Sequence, residues 1–338
     1  MNQPLAFTIL CALHKKGQQC CQTSVRPVVE IEQLSMEYVT GFWRNKRVRS
    51  LVDLSLEVYA GEIFGFLGHN GAGKTTTLKI LMRIVYPTGG TARILGCPLD
   101  DMNMRRRIGY LPESPYFYDY LTGWELLDYF GRLCGLDAAQ RARRIPEMLA
   151  LVGMQHAAHR PLRKYSKGML QRIGIAQAIL HDPEVVFLDE PMTGLDPIGR
   201  REVRDIMVNL RDQGKTVFFS THILSDVEAI CDRVAILKQG RRVAYGTLAE
   251  IQAGRSATLE IVATETTPEA VAALERFAAR LRQTAAGLHC ELKSADQVGE
   301  AVAELRRHGG RLVSITPIKS ALEEFFVRDE TAGDTFDA

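Results

Sequence analysis

Eight consecutive residues, Gly68-His69-Asn70-Gly71-Ala72-Gly73-Lys74-Thr75, fit the pattern G-x-x-x-x-G-K-[ST] and constrain this chain more than any other stretch. Glycines at these places let the backbone curl so that successive N–H groups face a common point, at the positive end of a following helix. Such a loop cradles the phosphates of a nucleoside triphosphate, with Lys74 reaching the β- and γ-phosphates and the Thr75 hydroxyl holding Mg²⁺. At ordinary residue usage a chain of this length matches the pattern by chance about once in a hundred. The setting is also the required one: the apolar run Ile63–Leu67 precedes the loop as a strand, and Leu78–Met82 follows it as a helix. Gly68, Asn70, Gly71, Gly73, Lys74, Thr75 and Thr76 are therefore the expected nucleotide contacts.

At 338 residues the chain has material for about two domains. A net charge of +2 argues against a dedicated nucleic-acid binder, which carries a basic excess. Seven scattered cysteines with no C-x-x-C pair read as reduced thiols of a cytosolic chain. The apolar run from Leu5 to Leu13 is too short to span a bilayer, so a membrane partner would be another polypeptide. Residues 1–27 show no clear period and read as a flexible extension or an over-called start.

Further along, two stretches carry chemistry. Val185-Val186-Phe187-Leu188-Asp189-Glu190 is a buried strand running into two acids. Phosphoryl transfer needs such a pair: Asp189 can hold Mg²⁺ through water, and Glu190 can polarise the attacking water. Thr216–Ser220 is a second buried strand whose end places His222 as a γ-phosphate contact. Alternating strands and helices of this kind give a parallel sheet with its ligand at the carboxyl ends of the strands.

Weaker signals stay open. Tyr38 to Arg47 mixes aromatic and basic residues, and is either an adenine-stacking platform or a solvated hairpin with its rings packed locally. Ser166-Lys167-Gly168 opens a helix where a hydroxyl and bare backbone donors could meet an anion. Between Ser114 and Ile179 the pattern is mostly helical, with one apolar stripe of Trp124, Leu127, Tyr129, Phe130 and Leu133 and another of Ile145, Met148, Leu149 and Val152. His156 and His159 have no evident third ligand and read as surface residues.

In order and spacing, the phosphate loop, the Ser-x-Gly helix start, the apolar-Asp-Glu strand, the Gly194-Leu195-Asp196 turn and the strand-end histidine resemble the ATP-binding cassette (ABC) ATPases. The resemblance covers about residues 29–245. It implies an α/β P-loop fold with a mostly parallel sheet core, an antiparallel β subdomain and a helical subdomain at about 114–180, the cassette spanning 28–247. It further implies that Tyr38, with Phe42 or Trp43 as alternatives, stacks on adenine. Gly68 to Thr75 becomes the Walker A loop, Asp189 belongs to Walker B, Glu190 is the catalytic carboxylate, Asp196 lies in the D-loop and His222 is the switch histidine. Ser166 and Gly168 occupy the signature, which in this family touches the γ-phosphate bound by the opposite subunit.

Two positions depart from the family pattern. Glu113 replaces the usual Q-loop glutamine and keeps an oxygen for Mg²⁺, and the signature reads Tyr165-Ser166-Lys167-Gly168-Met169. Both variants are similar to those of type-2 exporter ATPases, which serve drug, polysaccharide and antibiotic efflux and gliding motility. The resemblance thus implies an ATP- and Mg²⁺-dependent motor subunit of an exporter, paired with a second ATPase subunit, at the cytoplasmic face of the membrane on separate transmembrane permease subunits. Ser114-Pro115-Tyr116-Phe117-Tyr118 falls where the family docks its membrane coupling helix.

From Ala257 the expected order is strand (Thr258–Val262), helix (Pro268–Leu281), strand (Leu288–Leu292), helix (Ser294–Arg307), strand (Arg311–Ile315) and helix (Ala321–Val327). This resembles the small α+β accessory domain of those exporters, here 255–330 with a tail at 331–338, ending in a Leu322–Phe326 helix. A ribosomal or DNA-repair ABC protein would instead carry two cassettes or a long coiled coil. A P-loop GTPase would need an Asn-Lys-x-Asp loop, and Asn45-Lys46 lacks that Asp.

Overall fold

The computed structural model describes residues 26–40, 46–253, 259–284 and 287–317. Long alternating stretches make β1 (Pro27–Thr40) and β2 (Lys46–Tyr59), an antiparallel pair whose inward residues Val29, Ile31, Leu54, Leu56 and Val58 are buried. A tight turn at Gly61 then feeds β3 (Ile63–Gly68), buried along its whole length, and α1 (Lys74–Leu81). β4 (Gly89–Ile94) and β5 (Cys97–Pro98) return to the first sheet, which runs β2-β1-β4-β5.

The short α2 (Met102–Arg105), capped by Asp101, leads into β6 (Ile108–Leu111) and then to three helices, α3 (Gly123–Leu133), α4 (Ala138–Leu151) and α5 (Lys167–Ile179). Capping boxes open α3 at Thr122–Glu125 and α4 at Asp137–Gln140. The chain continues with β7 (Val185–Leu188), α6 (Pro197–Asp212), β8 (Thr216–Thr221), α7 (Leu224–Ile230), β9 (Arg233–Lys238), β10 (Arg241–Thr247) and α8 (Leu248–Ala253). The central sheet runs β10-β9-β3-β8-β7-β6 and is parallel except for β10.

Because side chains alternate along a strand, each central strand feeds two cores. Ile63, Leu67, Val186, Leu188, Val217 and Phe219 join the helices on one face. Phe64, Phe66, Val185, Phe187 and Phe218 join the antiparallel sheet on the other. Phe218 is the hub of that second core, with the rings of Phe64, Phe66 and Phe187 centred 5.2, 5.3 and 5.5 Å away. Both cores press on the strand ends that carry the site, which fixes their relative height.

In the helical region Ile145, Met148, Leu149 and Val152 are buried together, as their spacing predicts. The other stripe is only partly core: Leu127 is buried and Trp124 and Phe130 are half-buried, but Tyr129 and Leu133 are exposed. Helix also begins later than expected, at Gly123.

The last described unit is β11 (Leu259–Thr264), α9 (Pro268–Glu275), β12 (Ala278–Thr284), β13 (Gly287–Leu292), α10 (Val298–Arg307) and β14 (Arg311–Pro317). Here the expected helix to Leu281 is corrected: α9 stops at Glu275, and Ala278–Thr284 pairs antiparallel with β13. Pairing sets Leu281 opposite the buried Cys290 and supplies the backbone partners that outweigh local helix propensity. The result is a βαββαβ unit in sheet order β12-β13-β11-β14, with its own core of Ile261, Leu274, Leu288, Cys290, Leu292 and Leu305. The expected helix at Ala321–Val327 lies outside the described residues.

Candidate functional site

The strand β3 delivers Gly68 to the edge of the sheet, and the loop turns into α1 through Gly73 at φ +107°. Only glycine suits this place, since a Cβ there would sit 2.6 Å from the Ser50 carbonyl oxygen. A buttress comes from the β9–β10 turn, where Gly240 N–H donates to Ala72 O at 3.0 Å. No side chain caps α1 and its first turn holds no acid, so its leading N–H groups remain available to an anion. Lys74 is folded back over the loop, its ammonium donating to Gly68 O at 2.6 Å and His69 O at 3.2 Å.

At the end of β7 the two acids part company. Asp189 Oδ1 accepts the Ser220 hydroxyl at 2.6 Å and faces Thr75 Oγ1 at 3.3 Å, whereas its buried Oδ2 has no partner. Burial pushes the Asp189 carboxyl above its usual range, Glu113 and Glu190 add to the rise, and the Ser220 and Thr75 hydroxyls offset part of it. Glu190 takes a left-handed backbone, φ +49°, held by its N–H donating to Ser220 Oγ at 2.9 Å. Its Oε2 accepts from the Thr193 hydroxyl at 2.8 Å and meets His222 Nδ1 at 2.9 Å, while Oε1 stands 3.2 Å from Lys74 Nζ. Burial raises this carboxyl, but Thr193, Lys74 and His222 together outweigh burial and hold it below the ordinary glutamate value.

A cleft of about 260 Å³ opens over these groups and gathers Asn70, Gly71, Gly73, Lys74, Thr75 and Thr76 of the loop with Glu113, Glu190 and His222. Ser50, Thr193 and Ser220 were not legible from spacing. Ser50 and Thr193 line the cleft, and Ser50 shares a 2.8 Å hydroxyl contact with Thr76. The orphaned Asp189 Oδ2, the Thr75 hydroxyl and the nearby Glu113 form a set of oxygens suited to a hard divalent cation. Among the described residues no three His, Cys, Asp or Glu side chains converge to hold a metal, so phosphate or water oxygens would have to complete such a site.

Other expected contacts stand apart from this cleft. Tyr38 lies on β1 opposite Val48, half-buried against the second core, and is not part of the lining. Phe42 and Trp43 lie outside the described residues. Ser166 caps α5 by accepting Met169 N–H at 3.3 Å, and Gly168 lies beside Leu195. Neither reaches the cleft of its own chain. Asp196 caps α6 through Gly199 N–H at 3.0 Å. His156 and His159 are exposed, His159 stacking on Trp124.

Residues 51–193 match the family model described as ABC transporter. An uncharacterized ABC transporter ATP-binding protein of Synechocystis sp. is 48% identical over 303 residues, 89% of this chain and 84% of its own length. The chain belongs to the ABC transporter ATP-binding family. The bacitracin transport ATP-binding protein BcrA of Bacillus licheniformis is 42% identical over 196 residues, 57% of this chain and 63% of that protein. A dimeric ATP-binding cassette, solved in a post-hydrolysis state with ADP and Pi, shares the fold with a TM-score of 0.59 and 23% identity, over 65% of this chain and 98% of that one. This cassette is accordingly an ATPase, and its loop, Glu190 and His222 line one cleft. No helix among its described residues is long and apolar enough to cross a membrane.

Proposed function

We propose that this cassette is the motor subunit of an exporter, closing as a pair on two ATP molecules and driving separate transmembrane subunits. The observation that carries the reading is the Glu190 carboxylate, buried and ionised at the cleft between Lys74 and His222. A base so placed polarises an attacking water, and the strand-end histidine can turn from Glu190 toward a γ-phosphate. Mg²⁺, when bound, neutralises charge on the β- and γ-phosphate oxygens. Thr75 and Asp189, with Glu113 beside them, are the residues that would hold it.

Ser166 and Gly168 lie off their own cleft, which supports a role toward the nucleotide of a second ATPase subunit. That partner is either another copy of this chain or a close relative, as in the dimeric neighbour. In the segment between β6 and α3, Tyr116, Tyr118 and Tyr120 are 95%, 49% and 66% exposed, an aromatic surface suited to a permease coupling helix at the cytoplasmic face. In this reading Tyr38 serves the adenine, residues 28–247 form the cassette and 255–330 an accessory domain.

Glu190→Gln tests the assignment. It should retain ATP binding, accumulate an ATP-bound dimer in size exclusion, and lose hydrolysis by about 10²- to 10⁴-fold. Normal turnover would remove Glu190 from the role of base. In mixed dimers, Ser166→Ala in one subunit should impair the site of the other; a defect confined to the mutated chain contradicts the paired cleft. Co-purification of the tagged chain from mildly solubilised membranes identifies the permease, and recovery with ribosomes or DNA in place of a membrane protein rejects the transport reading.

A further inference from the structure

Three groups hold the Glu190 carboxylate, and they differ in where they come from. Lys74 belongs to the phosphate loop and His222 follows the end of β8, so in the proposed function both would turn toward phosphate. Thr193 lies three residues after Glu190 in the same turn, its N–H donating to Glu190 O at 3.2 Å and its hydroxyl to Oε2 at 2.8 Å. This contact is local and does not depend on where Lys74 and His222 go.

The geometry points to Thr193 as the positioning residue of ATP hydrolysis, its hydroxyl fixing Oε2 of Glu190 so that Oε1 alone is presented to the attacking water. As the water oxygen bonds to the γ-phosphorus, its proton passes to Oε1. The bond between the γ-phosphorus and the β–γ bridging oxygen breaks with its electron pair leaving on ADP. The Ser220 contact holds the Glu190 backbone in its left-handed conformation, and the Thr193 hydroxyl holds the carboxylate itself. The inference rests on Glu190 being the base.

The test measures kcat and KM for ATP of the full chain with MgATP, for Thr193→Val and Thr193→Ser. Valine keeps the shape and removes the hydroxyl. It should lower kcat about tenfold to a hundredfold, the rate equivalent of one hydrogen bond to a charged group, with KM nearly unchanged. Serine, which keeps the hydroxyl, should restore kcat. If Thr193→Val fails to fold, Thr193→Ala against Thr193→Ser makes the same comparison. An unchanged kcat in Thr193→Val, a loss carried by KM rather than kcat, or a serine variant as slow as valine, overturns the inference. With Glu190→Gln inactive, any of these results sinks the role of Thr193 alone. An active Glu190→Gln sinks the base itself.

Discussion

Lys74 Nζ stands 3.2 Å from Glu190 Oε1, with the two side chains only 5% and 6% exposed. The lysine that should meet phosphate is engaged by the carboxylate that should activate water. Binding energy must therefore be drawn on to separate them. Glu190→Gln removes the competing charge and should bind ATP about threefold to tenfold more tightly, whatever it does to hydrolysis. Titration with a fluorescent ATP analogue checks this, and weaker binding by the variant would show that the pair does not compete with phosphate.

A buried acid with one oxygen unpartnered is costly, and Asp189 is such a group. Its carboxyl is raised by burial, so its charge destabilises the fold above its folded pKa, and the penalty fades as pH falls through that value. Asp189→Asn should raise the nucleotide-free Tm by about 2–4 °C at neutral pH, as expected for a gain near 1 kcal/mol in a cassette of this size. The same variant should lose the Mg²⁺-dependent part of ATP binding. A lowered Tm would mean that the Ser220 and Thr75 contacts favour the carboxylate more than burial opposes it.

What was readable in the sequence was whatever is contiguous. The loop from Gly68 to Thr75 carries its own geometry, and Asp189-Glu190 closes an apolar strand, so neither needs the fold to be noticed. Ser50, Thr193 and Ser220 were missed because single hydroxyls have no pattern. Ser220 reaches Asp189 and Glu190 only because β7 and β8 are parallel neighbours, with Leu188 opposite Phe219. In the last unit, the apolar and basic run after Pro268 fits a helix until pairing with β13 turns its second half into a strand.

Arg233 ties the two sheets of the cassette together. Its guanidinium lies 4.6 Å from the Tyr59 ring centre on β2 and 4.7 Å from that of Tyr245 on β10, while the Tyr245 hydroxyl donates to Glu57 O at 2.8 Å. A planar cation between two ring faces contributes about 1–2 kcal/mol when partly desolvated, and the compact lysine ammonium cannot stack in its place. Arg233→Lys should lower the urea midpoint by the equivalent of about 1 kcal/mol with an unchanged m-value. KM for ATP should stay the same, because the clamp sits at the start of β9 and the Gly240 buttress of the loop follows its far end. A shifted KM would show that the clamp also sets the loop.

His181 should make stability depend on pH near neutrality. One ring nitrogen, Nε2, lies 2.9 Å from Ile108 O and so carries the proton, while Nδ1 is buried with no partner. Burial pushes its pKa down, Arg144 and Lys215 push the same way, and the Ile108 carbonyl and Asp182 resist; Asp182 is itself paired with Lys215 at 2.8 Å. A histidine lowered in the fold contributes stability that is complete above the ordinary value of about 6.5 and is lost as pH falls below it, because the unfolded chain takes up the proton first. His181→Gln can keep a donor to Ile108 O and has nothing to titrate. Thermal melts from pH 7.5 to 5.5 should show Tm falling more steeply in the wild type than in this variant. Equal slopes would place the acid sensitivity in other groups.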